Sequence, residues 1–437
     1  MKKVLLGLLL LAGISFASDI AFNGSYWAMT YYRGKIGFSE WKKLGVNSCM
    51  IYRDEDSSRA AAAGFPFYDE YVLPQIGWDN KVKTKYADIC AAYFEEGNKN
   101  MLRRNPSLSD SSYWSQSKRI INSTVNKQKN SNPLAYSIGD ECSVTSYTKP
   151  FDFDFSESAL SAFSVWLKKE YGTIENLNKE WGTKFNDFAV VMPFTTDKAK
   201  ERQNKGEENF SPWADHRTFM ETSFADFIKK CKTWAEEADP KTPAGIVGCQ
   251  MPSTFGGYDW WKICNSMNFI EAYDIGNNVD MIRSFTDTKK VLNVSTTFSS
   301  AGEGKRKIWE RMLQGERGTI VYDETVNTGV NKVVTGLQDL FLELNSGISK
   351  KIFAADRKID PIAIHYSQSS IHAQWMLETG VDKDRNWTSW SERSNSRFTK
   401  NRDGWVKVIK DLGLQFKFVA YEQIENGELI KAGIKYL

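Results

Sequence analysis

Histidine is scarce in this sequence, with three residues in 437, and the six cysteines contain no CxxC pair. A histidine-rich or cysteine-rich metal site is therefore not expected. The formal net charge of +3 is too small to predict nucleic acid or an acidic membrane surface as a partner. A nucleotide-binding glycine loop is also missing, so we expect no organic cofactor. The cysteines are expected to be single buried thiols, with one disulfide left as an alternative.

Long apolar runs are missing everywhere except at the N-terminus. Lys2 and Lys3 precede an apolar stretch at residues 4–16, and Ser15 and Ala17 are small residues at the −3 and −1 positions of a signal-peptidase site. The apolar stretch is too short to span a bilayer. We therefore predict a signal peptide at residues 1–17 and a secreted or periplasmic mature protein without a membrane anchor.

Aromatic residues, by contrast, are plentiful: 15 Trp, 18 Tyr and 26 Phe make up 14% of the chain. Aromatic rings stack on the flat C–H faces of sugars, which favours a carbohydrate ligand. Large hydrophobic cores use the same residues. Composition alone therefore leaves both interpretations open.

Strand-sized apolar runs alternate with helical patterns along most of the chain, which is typical of a parallel α/β protein. The predicted strands are residues 47–52, 66–73, 134–138, 244–249, 269–273, 291–294 and 319–322. Amphipathic helices are predicted at 156–171 and 219–238, and a solvated loop at 195–208. The length accommodates a (β/α)₈ TIM barrel, which takes roughly 250 residues or more. We place this catalytic barrel at residues 18–353.

The same alternation begins again near residue 352. A strand at 362–366 is followed by a helix with Trp375 and Met376, a helix at 404–412, a strand at 415–420 and a further apolar segment at 432–437. This pattern predicts a small α/β domain at residues 354–437. Because it stops at what would be the start of a strand, we expect the domain to be incomplete.

The strand predicted at 134–138 runs directly into two carboxylates, Asp140 and Glu141, after Gly139. In parallel barrels the reactive groups lie at the carboxyl ends of the strands. Adjacent strand residues point to opposite faces, so only one of the two carboxylates is expected to face the barrel axis. A partly desolvated carboxyl group there can act as a general acid. The alternative is that the two carboxylates simply begin a loop.

Several segments resemble glycoside hydrolase family 42, the β-galactosidases, and its clan of retaining (β/α)₈ glycosidases. The most specific is residues 163–183, and residues 103–110 with Tyr113, 215–219, 250–251 and 258–260 follow in the family's order. The resemblance implies that Glu141 is the catalytic acid/base and that Arg104 borders the sugar. It also implies that the tail from Asp360 is a flavodoxin-like domain of the kind that assembles family members into trimers, so a homotrimer is expected.

Two features depart from the family pattern. Asp140 stands where the family has an Asn that donates to the sugar 2-hydroxyl. The family nucleophile lies at the end of strand seven, but this strand has no carboxylate before Glu303. A retaining mechanism needs the second carboxylate about 5 Å from the first, and an inverting one needs about 6.5–9.5 Å.

Neighbouring strands offer candidates for this second carboxylate. Glu271 is the first choice, because a carboxylate inside an apolar strand is costly unless it is paired or used. Asp274 is the second and Glu324, after predicted strand eight, is the third. Each could instead be an ion-pair partner of Arg104 or Arg283.

The residues expected to bind the sugar are Arg104, Asp140, Tyr273, Trp260 and Tyr322. Trp27, Tyr52 and Trp261 are further aromatic candidates, and core packing is the alternative for every aromatic among them.

The sequence thus predicts an exported glycoside hydrolase that cleaves β-linked oligo- or polysaccharides, β-galactoside-like by analogy, with no cofactor. One alternative is an inverting glycosidase or one of different sugar preference. Others are a catalytically inactive carbohydrate-binding barrel and a structural assembly protein.

Overall fold

Eight parallel strands form a closed barrel in the computed structural model, which describes residues 20–31, 37–52, 57–74, 83–297, 300–322, 332–379 and 386–437. The barrel strands are β1 (Trp27–Tyr31), β2 (Ser48–Tyr52), β3 (Phe67–Glu70), β4 (Pro133–Asp140), β5 (Ala244–Cys249), β6 (Phe269–Ala272), β7 (Leu292–Thr297) and β8 (Gly318–Val321). Each strand pairs with its sequence neighbours, and β8 pairs with β1 through Met29 and Ile320. The predicted (β/α)₈ TIM barrel is confirmed.

Helices surround this barrel. In chain order they are α1 (Phe38–Lys43), α2 (Ser58–Ala62), α3 (Lys83–Phe94), α4 (Ser111–Gln128), α5 (Glu157–Tyr171), α6 (Ile174–Trp181), α7 (Thr196–Asn204), α8 (Ser211–Ala238), α9 (Trp260–Cys264), α10 (Asn278–Phe285), α11 (Ala301–Met312), α12 (Lys332–Glu343) and α13 (Ser349–Ala354).

The core has two layers. Buried side chains such as Met29, Met50, Tyr68, Val294 and Ile320 fill the barrel interior. A second set of buried apolar residues packs the outer faces of the strands against the helices. Filling the interior makes the barrel a packed core rather than a channel, so a ligand can enter only at its ends.

The segment that most resembles family 42 folds as the helix pair α5 and α6. The Ser156 hydroxyl accepts a hydrogen bond from the Ala159 N–H and caps α5, and Thr173 caps α6 in the same way through the Asn176 N–H. Gly172 and Gly182 follow the two helices with positive φ. These are the N-cap and C-terminal glycine signals that define helix ends.

The C-terminal segment contains a two-stranded parallel sheet, β9 (Ala363–Tyr366) and β10 (Lys417–Ala420). Its helices are α14 (Gln368–Glu378), α15 (Ser389–Asn395), α16 (Arg397–Asp411), α17 (Tyr421–Glu425) and α18 (Glu428–Lys431). The segment packs on the barrel: the Tyr366 hydroxyl accepts from the Trp260 N–H, and Arg283 donates to the Phe416 carbonyl. The assignment of this segment to a flavodoxin-like, trimer-forming domain stays a prediction.

The predicted strand positions agree with β2 to β8 to within a few residues, whereas β1 was not predicted. The solvated loop predicted at 195–208 is wrong, because α7 occupies most of it. Thr195 caps this helix by accepting from the Lys198 N–H, and Lys205 pairs with Glu201 one turn away. Capping and a salt bridge at i,i+4 stabilise a helix whose composition is almost entirely polar.

The six cysteines are free thiols in the structure, and all but Cys90 are buried. Within the part of the chain that the structure describes, no helix is long and apolar enough to cross a membrane.

Candidate active site

A cavity of about 320 Å³ opens where the barrel strands end at their carboxyl termini. Its size lies at the lower end of the range of about 300–1,000 Å³ that is usual for small-molecule sites. Fourteen described residues line it: Met50, Tyr52, Tyr68, Glu70, Tyr71, Asp140, Glu141, Val247, Glu271, Tyr273, Thr296, Ile320, Tyr322 and Trp390. Four of them are carboxylates, and none of these described residues carries a positive charge.

Glu141 lies one residue beyond the end of β4, and two contacts hold it. Its backbone N–H donates to the Val247 carbonyl on β5 at 3.0 Å. The Tyr273 hydroxyl donates to Glu141 Oε1 at 2.7 Å. The backbone of Glu141 has a φ of +48°, a left-handed conformation that costs a non-glycine residue of the order of 1–3 kcal/mol. Strained backbone of this kind clusters at functional sites.

Asp140 and Glu141 both line the cavity, which corrects the expectation that only one of them would face the barrel axis. The alternation of side chains holds only within an extended strand. The left-handed backbone at Glu141 ends the strand and breaks that alternation. Two adjacent carboxylates therefore enter the same space.

Glu271 on β6 is buried and lines the same cavity. Its Oε2 accepts from the Gly248 N–H at 2.5 Å, and its Oε1 accepts from the Thr296 hydroxyl at 2.5 Å. Burial raises the pKa of Glu271, and the hydrogen bonds from Thr296 and Gly248 oppose that rise. These donors stabilise the carboxylate form and fix its orientation.

Gly248 adjoins both Glu141 and Glu271. Its φ is +65°, and a Cβ added there would lie 2.4 Å from Asp140 Oδ1 and 2.7 Å from Glu141 Cγ. Its N–H contacts Glu271, and the N–Cβ distance within one residue is about 2.5 Å. Glu141 Cγ is therefore within about 8 Å of Glu271 Oε2. The Glu141 carboxyl oxygens lie about 2.4 Å from its Cγ, so the two carboxyl groups are at most about 10 Å apart, which includes both the retaining and the inverting separation.

Glu70 on β3 also lines the cavity, although it was not among the site residues predicted from the sequence. The Ser137 hydroxyl donates to its Oε1 at 3.1 Å. Burial, followed by the charge of Asp140, raises the pKa of Glu70 well above its usual value. The signal was present in the sequence, because Asp69 and Glu70 are two adjacent carboxylates within the apolar strand predicted at 66–73.

Asp274 does not line the cavity. Its Oδ2 lies 3.6 Å from a guanidinium nitrogen of Arg311, which also pairs with the buried Glu316 at 3.2 Å. Burial raises the pKa of Glu316 to about 7, although Arg311 opposes that rise. Asp274 is thus an ion-pair partner, but of Arg311 rather than of Arg104 or Arg283. Glu324 lies outside the described residues.

Two residues expected at the sugar, Arg104 and Trp260, are buried and are not among the described residues that line the cavity. Arg104 Nε donates to the Val144 carbonyl at 3.1 Å, and its Nη1 donates to the Pro106 carbonyl at 2.6 Å. Arg104 therefore supports the loop that follows Glu141. Trp260 Nε1 donates to the Gln250 carbonyl at 3.2 Å.

The other candidate aromatics divide between the cavity and the core. Tyr52, Tyr273 and Tyr322 line the cavity, and Tyr322 is exposed at its mouth. Trp27 is buried within the barrel, and the Trp261 indole donates to Glu422 at 2.8 Å. Tyr52 stacks on Tyr71 with ring centroids 6.0 Å apart and an interplanar angle of 4°.

Comparison with known proteins adds the family. The family profile described as β-galactosidase, that of glycoside hydrolase family 42, matches residues 81–296. This match spans β4 to β7 and includes Asp140, Glu141 and Glu271. The chain is a relative of the family 42 β-galactosidases.

Three similar proteins illustrate how far this likeness extends. β-Galactosidase BbgII of Bifidobacterium bifidum is 46% identical over 46 residues, which are 9% of this chain and 7% of that protein. β-Galactosidase BgaP of Planococcus sp. is 25% identical over 138 residues, or 30% and 20% of the two chains. The crystal structure of a β-galactosidase from Bacillus circulans sp. alkalophilus superposes with a TM-score of 0.62 at 12% identity, and the match covers 91% of this chain and 65% of that one.

This family 42 relative thus spans less than two thirds of the length of each of these proteins. At 12% identity the structural likeness concerns the fold. The chemistry must therefore be argued from the residues of the cavity.

Proposed function

We propose that this chain is an exported glycoside hydrolase that cleaves neutral β-linked glycosides, with galactose as the sugar. Glu141 and Glu271 are its two catalytic carboxylates. The observation that carries the proposal is that both side chains adjoin Gly248 and line one cavity. The family match supports galactose as the sugar, and the signal-peptide pattern of residues 1–17 supports export.

In the proposed reaction Glu141 donates a proton to the glycosidic oxygen as the bond to the anomeric carbon breaks. Tyr273 holds one carboxyl oxygen of Glu141, which leaves the other oxygen to carry the proton. Glu271, ionised and held by Thr296 and Gly248, attacks the anomeric carbon directly or takes a proton from the water that does. Direct attack forms a covalent bond between Glu271 and the anomeric carbon, which water then cleaves after giving a proton to Glu141, and these two inversions together retain the anomeric configuration. A single attack by water inverts it.

The charge of the cavity favours a neutral substrate. Its four carboxylates are Glu70, Asp140, Glu141 and Glu271, and its described lining includes no Lys, Arg or His. A substrate carboxylate would be repelled by those of the four groups that are ionised, and the described lining offers it no opposite charge. We therefore expect 4-nitrophenyl β-galactoside to bind more tightly than 4-nitrophenyl β-galacturonide, which has a carboxylate in place of the C6 hydroxymethyl group. Tighter binding of the galacturonide would contradict the neutral-substrate assignment.

The matched pair Glu271→Gln and Asp274→Asn tests the identity of the second carboxylate. Both residues belong to one segment of chain, but only Glu271 lines the cavity. On a panel of 4-nitrophenyl β-glycosides we expect Glu271→Gln to lower kcat by about 10³-fold or more, and Asp274→Asn to lower it less than tenfold. The reverse order would contradict the assignment. Proton NMR of the first-formed sugar then shows whether Glu271 acts as nucleophile or as base.

A sugar-binding barrel without catalytic activity is the second candidate. The observation that favours it is the end of β7, where Thr296 and Thr297 stand and the described strand carries no carboxylate. This candidate predicts that the protein binds galactosides but hydrolyses none of the panel. Turnover that depends on Glu271 would exclude it.

A further inference from the structure

Trp390 lines the barrel cavity although it belongs to α15 in the C-terminal segment. Its side chain is 50% exposed, whereas Ser389 and Glu392 in the same helix are buried. An indole left half exposed beside a cavity retains apolar surface that a ligand can cover. This helix therefore buries Ser389 and Glu392 and presents its tryptophan at the mouth of the cavity.

Contacts with the loop after Glu141 hold α15 in place. The Ser389 and Thr148 hydroxyls lie 3.4 Å apart, and Lys149 Nζ donates to Asn386 Oδ1 at 3.3 Å. From the other side, the buried Glu392 accepts from the Trp387 indole at 2.8 Å. Because Thr148 and Lys149 belong to the loop that begins at Glu141, Trp390 has a defined position relative to the proposed acid.

The polar and aromatic residues of the cavity lie at different depths. Glu271 and Glu70 are each 2% exposed, whereas Tyr322 is 40% and Trp390 50% exposed. The bond that is cleaved must lie beside the buried carboxylates. A sugar on the far side of that bond then lies further out, at the level of Trp390. An indole offers such a ring a flat apolar surface.

We propose that Trp390 is the binding platform for the leaving-group sugar, so that the C-terminal segment completes the substrate site and the substrates are at least disaccharides. This inference rests on the proposed hydrolase function. The guanidinium of Arg393 lies 5.9 Å from the indole centroid and supports the ring from within α15.

The test compares two substrates that share the sugar identified by the panel. A β-glycosyl fluoride has no sugar on the leaving-group side, whereas the β-linked disaccharide has one. Trp390→Ala lowers kcat/KM for the disaccharide about tenfold, the loss of roughly one stacked ring, and leaves the fluoride within twofold of wild type. Trp390→Phe keeps most of the disaccharide activity, which also guards against a folding defect in the alanine variant.

The control is Trp405→Ala, which removes a tryptophan that is 59% exposed on α16 and is not among the described lining residues. We expect this variant to leave kcat/KM unchanged for both substrates. An equal loss on both substrates in Trp390→Ala would overturn the proposal, because it would place Trp390 at the cleaved sugar or in the fold. No loss on either substrate would overturn it as well.

Failure of the proposed function gives a different result, namely that wild type turns over neither substrate. In that case the affinities of wild type and Trp390→Ala for the monosaccharide and the disaccharide, measured by calorimetric titration, test whether Trp390 binds the second sugar. A preference of about tenfold for the disaccharide that disappears in the variant supports the platform. Equal affinities for the two sugars in wild type overturn it.

Discussion

Replacing Gly248 with alanine tests whether this residue holds the two carboxylates in position. Its φ of +65° costs an alanine about 1–2 kcal/mol. The new methyl would also lie 2.4 Å from Asp140 Oδ1 and 2.8 Å from the Glu141 nitrogen, closer than real Cβ contacts allow. Relieving such overpacking costs a further 1–3 kcal/mol or so. We therefore expect Gly248→Ala to lower the free energy of unfolding by about 2–5 kcal/mol.

The activity of Gly248→Ala should fall by more than its loss of folded protein alone would cause. The segment that carries Asp140 and Glu141 must move to relieve the contact, and a misplacement of about 1 Å can cost about 10²-fold in rate. The measurements are urea-induced unfolding followed by circular dichroism, and kcat/KM on the best aryl glycoside at a temperature where the variant is folded.

Gly64→Ala is the matched control. Gly64 has a φ of +58°, and a Cβ there would meet nothing within 4 Å. The free energy of unfolding of this variant should fall only by the roughly 1–2 kcal/mol that a positive φ costs an alanine, and its activity should be kept. The reasoning is refuted if Gly248→Ala is as stable and as active as Gly64→Ala.

Three further predictions concern the pH profile, the acid and the thiols. Burial raises the pKa of Glu271, and the hydrogen bond from Thr296 opposes that rise. The midpoint of the acidic limb of the kcat/KM profile should therefore lie above the ordinary glutamate pKa of about 4.3, and Thr296→Val should move it to higher pH. An unchanged midpoint in Thr296→Val would show that Glu271 is not the titrating group. Tyr273→Phe removes one hydrogen bond to Glu141 and should lower kcat/KM about tenfold or more, as expected for a bond to a charged group; wild-type kinetics would contradict this. Ellman's reagent should titrate one thiol, Cys90, in the folded protein and six after unfolding without reductant; fewer than six would reveal a disulfide.

The strand that leads into Glu141 could be predicted because its signal is local. An apolar run of strand length ends in two carboxylates, and the barrel places strand ends at the site. Glu271 was predictable for a related reason, since a carboxylate within an apolar strand is costly unless it is used or paired. The structure places it on the cavity with two hydrogen-bond donors.

Other parts of the site depend on contacts between residues distant in sequence, which no local sequence pattern reveals. The importance of Gly248 comes from its approach to the neighbouring strand, and Trp390 reaches the cavity only through the packing of the C-terminal segment. Arg104 was expected at the sugar because of the family resemblance, and in the structure two of its nitrogens donate to the Val144 and Pro106 carbonyls of nearby loops. A charged residue near the site in sequence can serve the loop rather than the substrate.

The role of Glu141 as the acid is tested most directly by the dependence of rate on the leaving group. Wild type and Glu141→Gln would be compared on aryl β-glycosides whose phenols range from 2,4-dinitrophenol, which leaves without help, to phenol, which needs a proton. Loss of a general acid costs about 10²–10⁴-fold when the leaving group needs protonation and much less when it does not. We expect the variant to be strongly impaired on the phenyl glycoside and nearly unimpaired on the dinitrophenyl one. An equal loss on both substrates, or no loss on either, would contradict the assignment of Glu141 as the proton donor.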